Sequence, residues 1–324
     1  MLTVYVQEGT RLKGAAAAPD ALPAAPVWID LLNATEEETA GVEAALGLDL
    51  PTRAVMEEIE ASSRIYQTGE ARVMTAIVLA RNEAGRVEAA PVTFVLAGET
   101  LATLRHTEPQ PFRSFAKLAA ERSMGVASGE AALVGLLEAI VDRVADVLEG
   151  VAADVEALTQ ETFEREGSRP SKPSRFHEIL KKIGQKGDLN GKARESLVSL
   201  GRIVAHLAEP AENEKRPRDL RNRIKTLGRD VSSLSDHASF VSNKVNFLLD
   251  ATLGMVNIEQ NAIIKIFSVA AVAFLPPTLI ASIYGMNFKV MPELDWPYGY
   301  PLAIGAMIAS AILPYLYFKR RGWL

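Results

Sequence analysis

Asp250, Asn257, Asn261, Ile264, Ala271, Leu275, Thr278 and Ser282 follow one another at steps of three, four or seven residues, so on an α-helix they share one face. Carboxylate, amide and hydroxyl oxygens in one line are hard ligands. They can hydrogen-bond the water shell of a passing cation, and magnesium, which prefers oxygen and releases its waters reluctantly, suits them. Just beyond, Gly285 can end a helix and turn Met286 and Asn287 across its mouth, where the Asn287 amide oxygen meets the same cation without holding it. A plainer account also fits Thr278 and Ser282, whose hydroxyls can bond back to carbonyls of their own helix at little cost. Both accounts stand on the sequence alone. Catalysis has no comparable signal. There is no paired nucleophile and base, no phosphate loop, and no HxxxH or HExxH spacing among His106, His177, His206 and His237. Cysteine is absent, which excludes disulfides and thiolate metal sites. We expect neither an enzyme nor a cofactor.

The helix that carries this line has to cross something other than water. Residues 266–288 and 296–318 contain no charged side chain, and at about 1.5 Å rise per residue each spans the roughly 30 Å core of a bilayer. Polar groups inside such a span cost free energy unless they face a cavity or a partner, which favours a pore-facing stripe. Lys265 before the first span and Lys319, Arg320 and Arg321 after the second place both termini in the cytoplasm by the positive-inside rule, with residues 289–295 outside. Trp296, Tyr298, Tyr300, Tyr315, Tyr317 and Trp323 suit the two interfacial belts. Pro276-Pro277 predicts a bend within the first span.

The remaining chain has to hold that helix. Apolar, β-branched runs at VYV, 27–32, 72–80, 92–97 and 100–106, with Thr35-Glu36-Glu37-Glu38 as a helix start, predict a mixed α/β domain over 1–128. The alanine- and proline-rich stretch 15–26 reads as a loose surface loop. Leu133 to Leu158 recur at helical spacing, and Leu220, Ile224, Leu227, Val231, Leu234, Ala238, Val241, Val245 and Leu248 form a heptad seam in a helix expected over 217–283. That seam fits either one intramolecular bundle or stalks from several copies packed about an axis, and we favour the second. Residues 163–194, with nine basic and four acidic residues, read as the solvated turn of a helical hairpin rather than a nucleic-acid patch. A net charge of −5 gives no general case for nucleic acid. The fold expected is thus an α+β membrane protein with an N-terminal α/β domain, a helical hairpin and stalk over 129–265, and two transmembrane helices over 266–324.

Tyr284-Gly285-Met286-Asn287-Phe288 and Met291-Pro292-Glu293-Leu294 between two final spans, WIDL near the start and the basic tail KRRGWL resemble the CorA-type divalent metal ion transporter family over the whole chain. The resemblance implies a homopentamer in the bacterial cytoplasmic (inner) membrane, with first spans around one pore and both termini cytoplasmic. It implies influx of Mg2+, and also of Co2+ and Ni2+. Counting back without gaps, it implies a filter at Gly285, Met286 and Asn287 and metal contacts at Asn287, Asn261 and Asp250. It also implies a hydrophobic constriction at Ile264, Phe267 and Leu275. The family's stalk carboxylate for magnesium sensing falls on Thr226, leaving Asp219 or Asp230 as candidates for regulatory Mg2+. Apolar Ile264 stands where methionine is frequent. A ZntB-like zinc transporter shares the architecture, and a membrane-anchored coiled-coil scaffold without conduction is the reading from another class.

Overall fold

The computed structural model describes residues 1–58, 60, 64–82, 84–121, 126–163, 173–209, 216–287, 289 and 291–322. The chain divides into two compact units, the first comprising Met1–Glu164 and Glu178–Leu248, the second Arg165–His177 and Leu249–Leu324.

The first unit is built on a seven-stranded mixed sheet in the order β2-β1-β3-β7-β6-β5-β4. Its strands are β1 (Leu2–Glu8), β2 (Arg11–Ala16), β3 (Trp28–Leu32), β4 (Ile65–Thr68), β5 (Ala71–Arg81), β6 (Val87–Ala97) and β7 (Thr100–Arg105). Only β3 and β7 pair in parallel. Period-two alternation sends Trp28, Met74, Phe94 and Leu101 to one face and Ile29, Val73, Val95 and Ala102 to the other. The second face is closed by α1 (Glu36–Leu46) and α2 (Arg53–Glu57) through Val42 and Met56. Thr35 caps α1 with a complete capping box, accepting from the Glu38 N–H at 3.2 Å while Glu38 accepts from the Thr35 N–H at 3.0 Å.

The first face is closed by α3 (Gln110–Glu121) and α4 (Gly129–Phe163), which bring Phe112, Phe115, Leu133 and Leu136 onto the strands. Gly129 donates to the Glu99 carbonyl at 2.6 Å, and a Cβ there would lie 2.4 Å from the Leu101 nitrogen, so only glycine lets α4 start against β7. Asp30 and Arg105 form a bidentate pair inside this core, with contacts of 3.0 and 2.7 Å, and Thr103 donates to Asp30 at 2.8 Å.

The helical part departs from the expectation in two places. The basic run is not a turn: α5 (Pro173–Ala208) holds residues 173–194 in helix, and the rest of that run, 164–172, lies outside the described residues. Gly184, Gly187 and Gly191 punctuate the sequence like a loop, yet packing against neighbours overrides their low propensity. A Cβ on Gly187 would already touch Val245, and Asn190 donates to the Ala238 carbonyl at 3.0 Å. The lysines of the run meet acids of α4: Lys182 with Glu161 at 3.2 Å and Lys186 with Asp154 at 2.5 Å. Second, the heptad seam is used within one chain. Leu220, Ile224, Leu227, Val231 and Ala238 of α6 (Arg218–Tyr284) belong to the same core cluster as α4 and to Leu197, Leu200 and Ile203 of α5. Within one chain this stretch of the seam therefore packs against α4 and α5.

β2 was not expected, and Ala15 and Ala16 pair with Val4 and Thr3, so the loop starts two residues later than its composition indicates. Edge strand β4 was likewise unanticipated. The stalk helix runs for 67 residues, the length foreseen, displaced by one.

Asp30→Ala leaves the buried Arg105 guanidinium without its carboxylate and should destabilise the unit by about 3–5 kcal/mol. Urea unfolding followed by the fluorescence of buried Trp28 checks this, with Asp30→Leu/Arg105→Met expected to recover most of the loss.

Candidate cation pathway

α6 passes from the first unit into the second without a break, and its environment changes there. Its most apolar 18-residue stretch has a mean hydropathy of 2.0, and 6% of that stretch is buried. Ile264, Phe267, Phe274 and Leu275 are each more than 60% exposed. A soluble core helix would be covered. α7 (Gly299–Arg320) behaves alike, with hydropathy 1.7 and 6% buried. Tyr298 and Tyr300 stand exposed at its start and Tyr315 and Tyr317 at its end, as interfacial belts require. Trp323 lies outside the described residues.

Every residue of the proposed line is exposed: Asp250, Asn257, Asn261, Ile264, Phe267, Ala271, Leu275, Thr278 and Ser282. On a helix of 3.6 residues per turn they fall within an arc of about 120°, with Asn261 at one margin and Phe267 at the other. The helix continues through Pro276 and Pro277, and no interruption separates Asn261 from Ser282. The Thr278 hydroxyl bonds the carbonyls of Phe274 at 3.0 Å and Leu275 at 2.9 Å. Its polar group is thus satisfied by its own helix, the plainer of the two accounts.

The helix stops at Tyr284. Gly285 still donates to the Ala281 carbonyl at 2.9 Å and Met286 to the Ile283 carbonyl at 3.3 Å, so the last turn tightens from four-residue to three-residue spacing. Gly285 does this without a left-handed backbone. Its value is space, since a Cβ would stand 3.1 Å from the Ala281 oxygen. Asn287 follows, exposed and outside the helix, with Phe288 outside the described residues. A 3-10 turn, Pro292–Asp295, then leads to α7.

One chain does not assemble a metal site from these residues. Asp250 and Asn261 are separated by about 16 Å of helical rise, and Asn287 lies beyond the far end of the helix. Asp219 and Asp230 are both exposed and equally far apart on α6. Among the described residues no group of three or more His, Asp or Glu side chains could hold an ion. Each candidate level needs the same residue from other copies to become a ring.

A sequence model of the CorA-like Mg2+ transporter proteins matches residues 23–320. The chain belongs to that family. That family consists of transporters, not enzymes. A magnesium transport protein CorA of Haemophilus influenzae is 36% identical over 298 residues, 92% of each chain. One from Escherichia coli is 37% identical over 299 residues, again 92% of each. Among solved structures, the CorA magnesium transporter from Methanocaldococcus jannaschii matches with a TM-score of 0.75 at 18% identity, covering 100% of this chain and 99% of that one. The full-length CmaX protein matches at 0.68 with 14% identity, covering 99% and 97%. At these identities the two structures speak for the CorA-like fold.

Sequence reasoning missed the surroundings of Asp230. Glu138, Asp142 and Asp146 recur every fourth residue on α4, a spacing visible in the sequence. Arg223 donates to both oxygens of Glu138, at 2.9 and 2.7 Å, tying the base of the stalk to α4. Burial, then the charges of Glu138, Asp146 and Asp230, push the Asp142 carboxyl above its ordinary value of 3.8. Between that value and the raised one, the folded chain binds more protons than the unfolded chain, so rising pH lowers stability. Asp142→Asn should therefore raise Tm at pH 7 in the presence of a chelator, and the gain should fade as pH falls towards 3.8. Thermal melts at several pH values check it.

Proposed function

We propose that this chain is a channel-like magnesium transporter in which α6 from each of five copies surrounds a central pore and α7 lies outside it. The observation that carries this reading is a single helix face. Hard oxygen residues and large apolar ones share an exposed arc on an apolar helix, and that helix ends at Gly285-Met286-Asn287. Membership in the CorA-like family, and relatives named as magnesium transport proteins, support the choice of ion.

In this reading Asn287 forms the outer filter, offering neutral amide oxygens to the water shell of Mg2+. Asn261 and Asp250 form further rings along the path. Ile264, Phe267 and Leu275 keep a stretch between polar levels dry, which opposes leakage of hydrated ions. Co2+ and Ni2+ pass by the same outer-shell contacts. The protein sits in the bacterial cytoplasmic membrane with both termini in the cytosol, as the basic residues after α7 favour. An inward-negative potential supplies about 4.6 kcal/mol per divalent ion per 100 mV, twice the value for one charge, so ions flow inward without nucleotide hydrolysis. Residues 1–128 and 129–265 form the cytoplasmic part, where Mg2+ near Asp219 or Asp230 regulates opening, and 266–324 forms the membrane part.

Reconstitution into liposomes under an inward-negative potential tests this. Wild type should take up Mg2+, and Asn287→Ala should reduce uptake to background. Asn261→Ala should slow it roughly tenfold, equivalent to about 1.4 kcal/mol. A correctly assembled wild-type protein that takes up no Mg2+, Co2+ or Ni2+ would leave the proposal without a function to explain.

A further inference from the structure

In the first unit, a groove of about 200 Å3 opens between the β5–β6 hairpin, the start of α3 and the middle of α4. Three guanidiniums line it, Arg81 from β5, Arg113 from α3 and Arg143 from α4, against one carboxylate, Glu108. Their bonding is sparse. Arg81 donates once, to the Gly85 carbonyl at 3.3 Å. The partner of Arg113 is Glu108 at 3.6 Å, and that of Arg143 is Asp146 at 3.9 Å, both beyond hydrogen-bond reach. The Arg143 side chain is only 24% exposed. A half-buried guanidinium held only by a 3.9 Å ion pair keeps donors to offer to a further acceptor. Three arginines against Glu108 and Asp146 leave the groove one net positive charge, which an anion would offset.

We propose that this groove binds a multivalent phosphate, either a diphosphate or the polyphosphate end of a nucleotide. A carboxylate is planar and is matched by a single guanidinium fork, whereas phosphate presents oxygens on several sides to donors arriving from separate elements. The volume is below that of pockets enclosing whole drug-sized ligands, so the phosphate groups are held and any attached nucleoside projects outwards. Aliphatic Leu79, Val87 and Val147 line the same groove.

The test is isothermal titration of the full-length protein in detergent, at about 0.15 M salt with metals chelated, using inorganic pyrophosphate and ATP as probes. Saturable binding of at least one is expected, weakened at least tenfold in Arg143→Gln and in Arg113→Gln. Arg53→Gln, which removes an exposed ion pair with Glu57 in α2, should leave it unchanged. Competition between the probes distinguishes the sources, because ATP displacing pyrophosphate at lower concentration assigns the groove to a nucleotide, and the reverse assigns it to the inorganic ion. Absence of saturable binding of either probe to wild type overturns the proposal. So does unchanged affinity in Arg113→Gln, a replacement at a side chain 67% exposed that leaves the core untouched. Binding is read without transport, so this result and the Mg2+ uptake result stand or fall separately.

Discussion

The structure turns on one constraint: α6 cannot be satisfied by its own chain along its whole length. Up to Leu248 its apolar seam is buried, and beyond that point most large apolar side chains stand exposed, Ile264, Phe267, Phe274 and Leu275 by more than 60%. Each such side chain kept from water is worth about 1.5–3 kcal/mol, so this half of the helix needs lipid or copies of itself. Its backbone is no obstacle, because a helix satisfies its own amides in hydrocarbon. The same helix is thus a soluble bundle member at one end and a membrane span at the other, with Arg223 and Glu138 tying the soluble end to α4.

Using up the seam within one chain changes what association must rest on. A heptad pattern normally invites helices of other copies, and here α5 occupies that place. The faces the seam does not use include the exposed Phe240 and Phe247 side and the line from Asp250 to Ser282. In the proposed pore, the residues that would meet in rings are exposed in the single chain.

Strands β1, β3, β5, β6 and β7, the start of helix α1 and the length of α6 were legible because each has a local cause: apolar β-branched runs, a capping residue followed by acids, an unbroken heptad. What sequence missed has non-local causes. β2 is an edge strand whose polar Arg11, Lys13 and Gly14 hide the alternation, with Leu12 alone buried. The helix over 173–194 contains three glycines and a run of lysines, and it forms because Val245, the Ala238 carbonyl and the acids of α4 complete it. Neither cause is visible along the chain.

For the site, spacing placed Asp250 to Ser282 on one arc, and the helix keeps them there. The turn at Gly285 was legible as a stop but not in its form, since the residue has no left-handed backbone and sits instead close to the carbonyl of Ala281. The missing ligand cluster follows from the same geometry. A chain that gathered three carboxylates around one ion would bind it tightly and release it slowly, which defeats passage. Single amide oxygens spaced along a helix are too weak alone to trap Mg2+, and they gain strength only when repeated around an axis, with the water shell as intermediary. Symmetry then supplies the number of contacts while each remains weak. That division suits a conduit better than any site one copy could build.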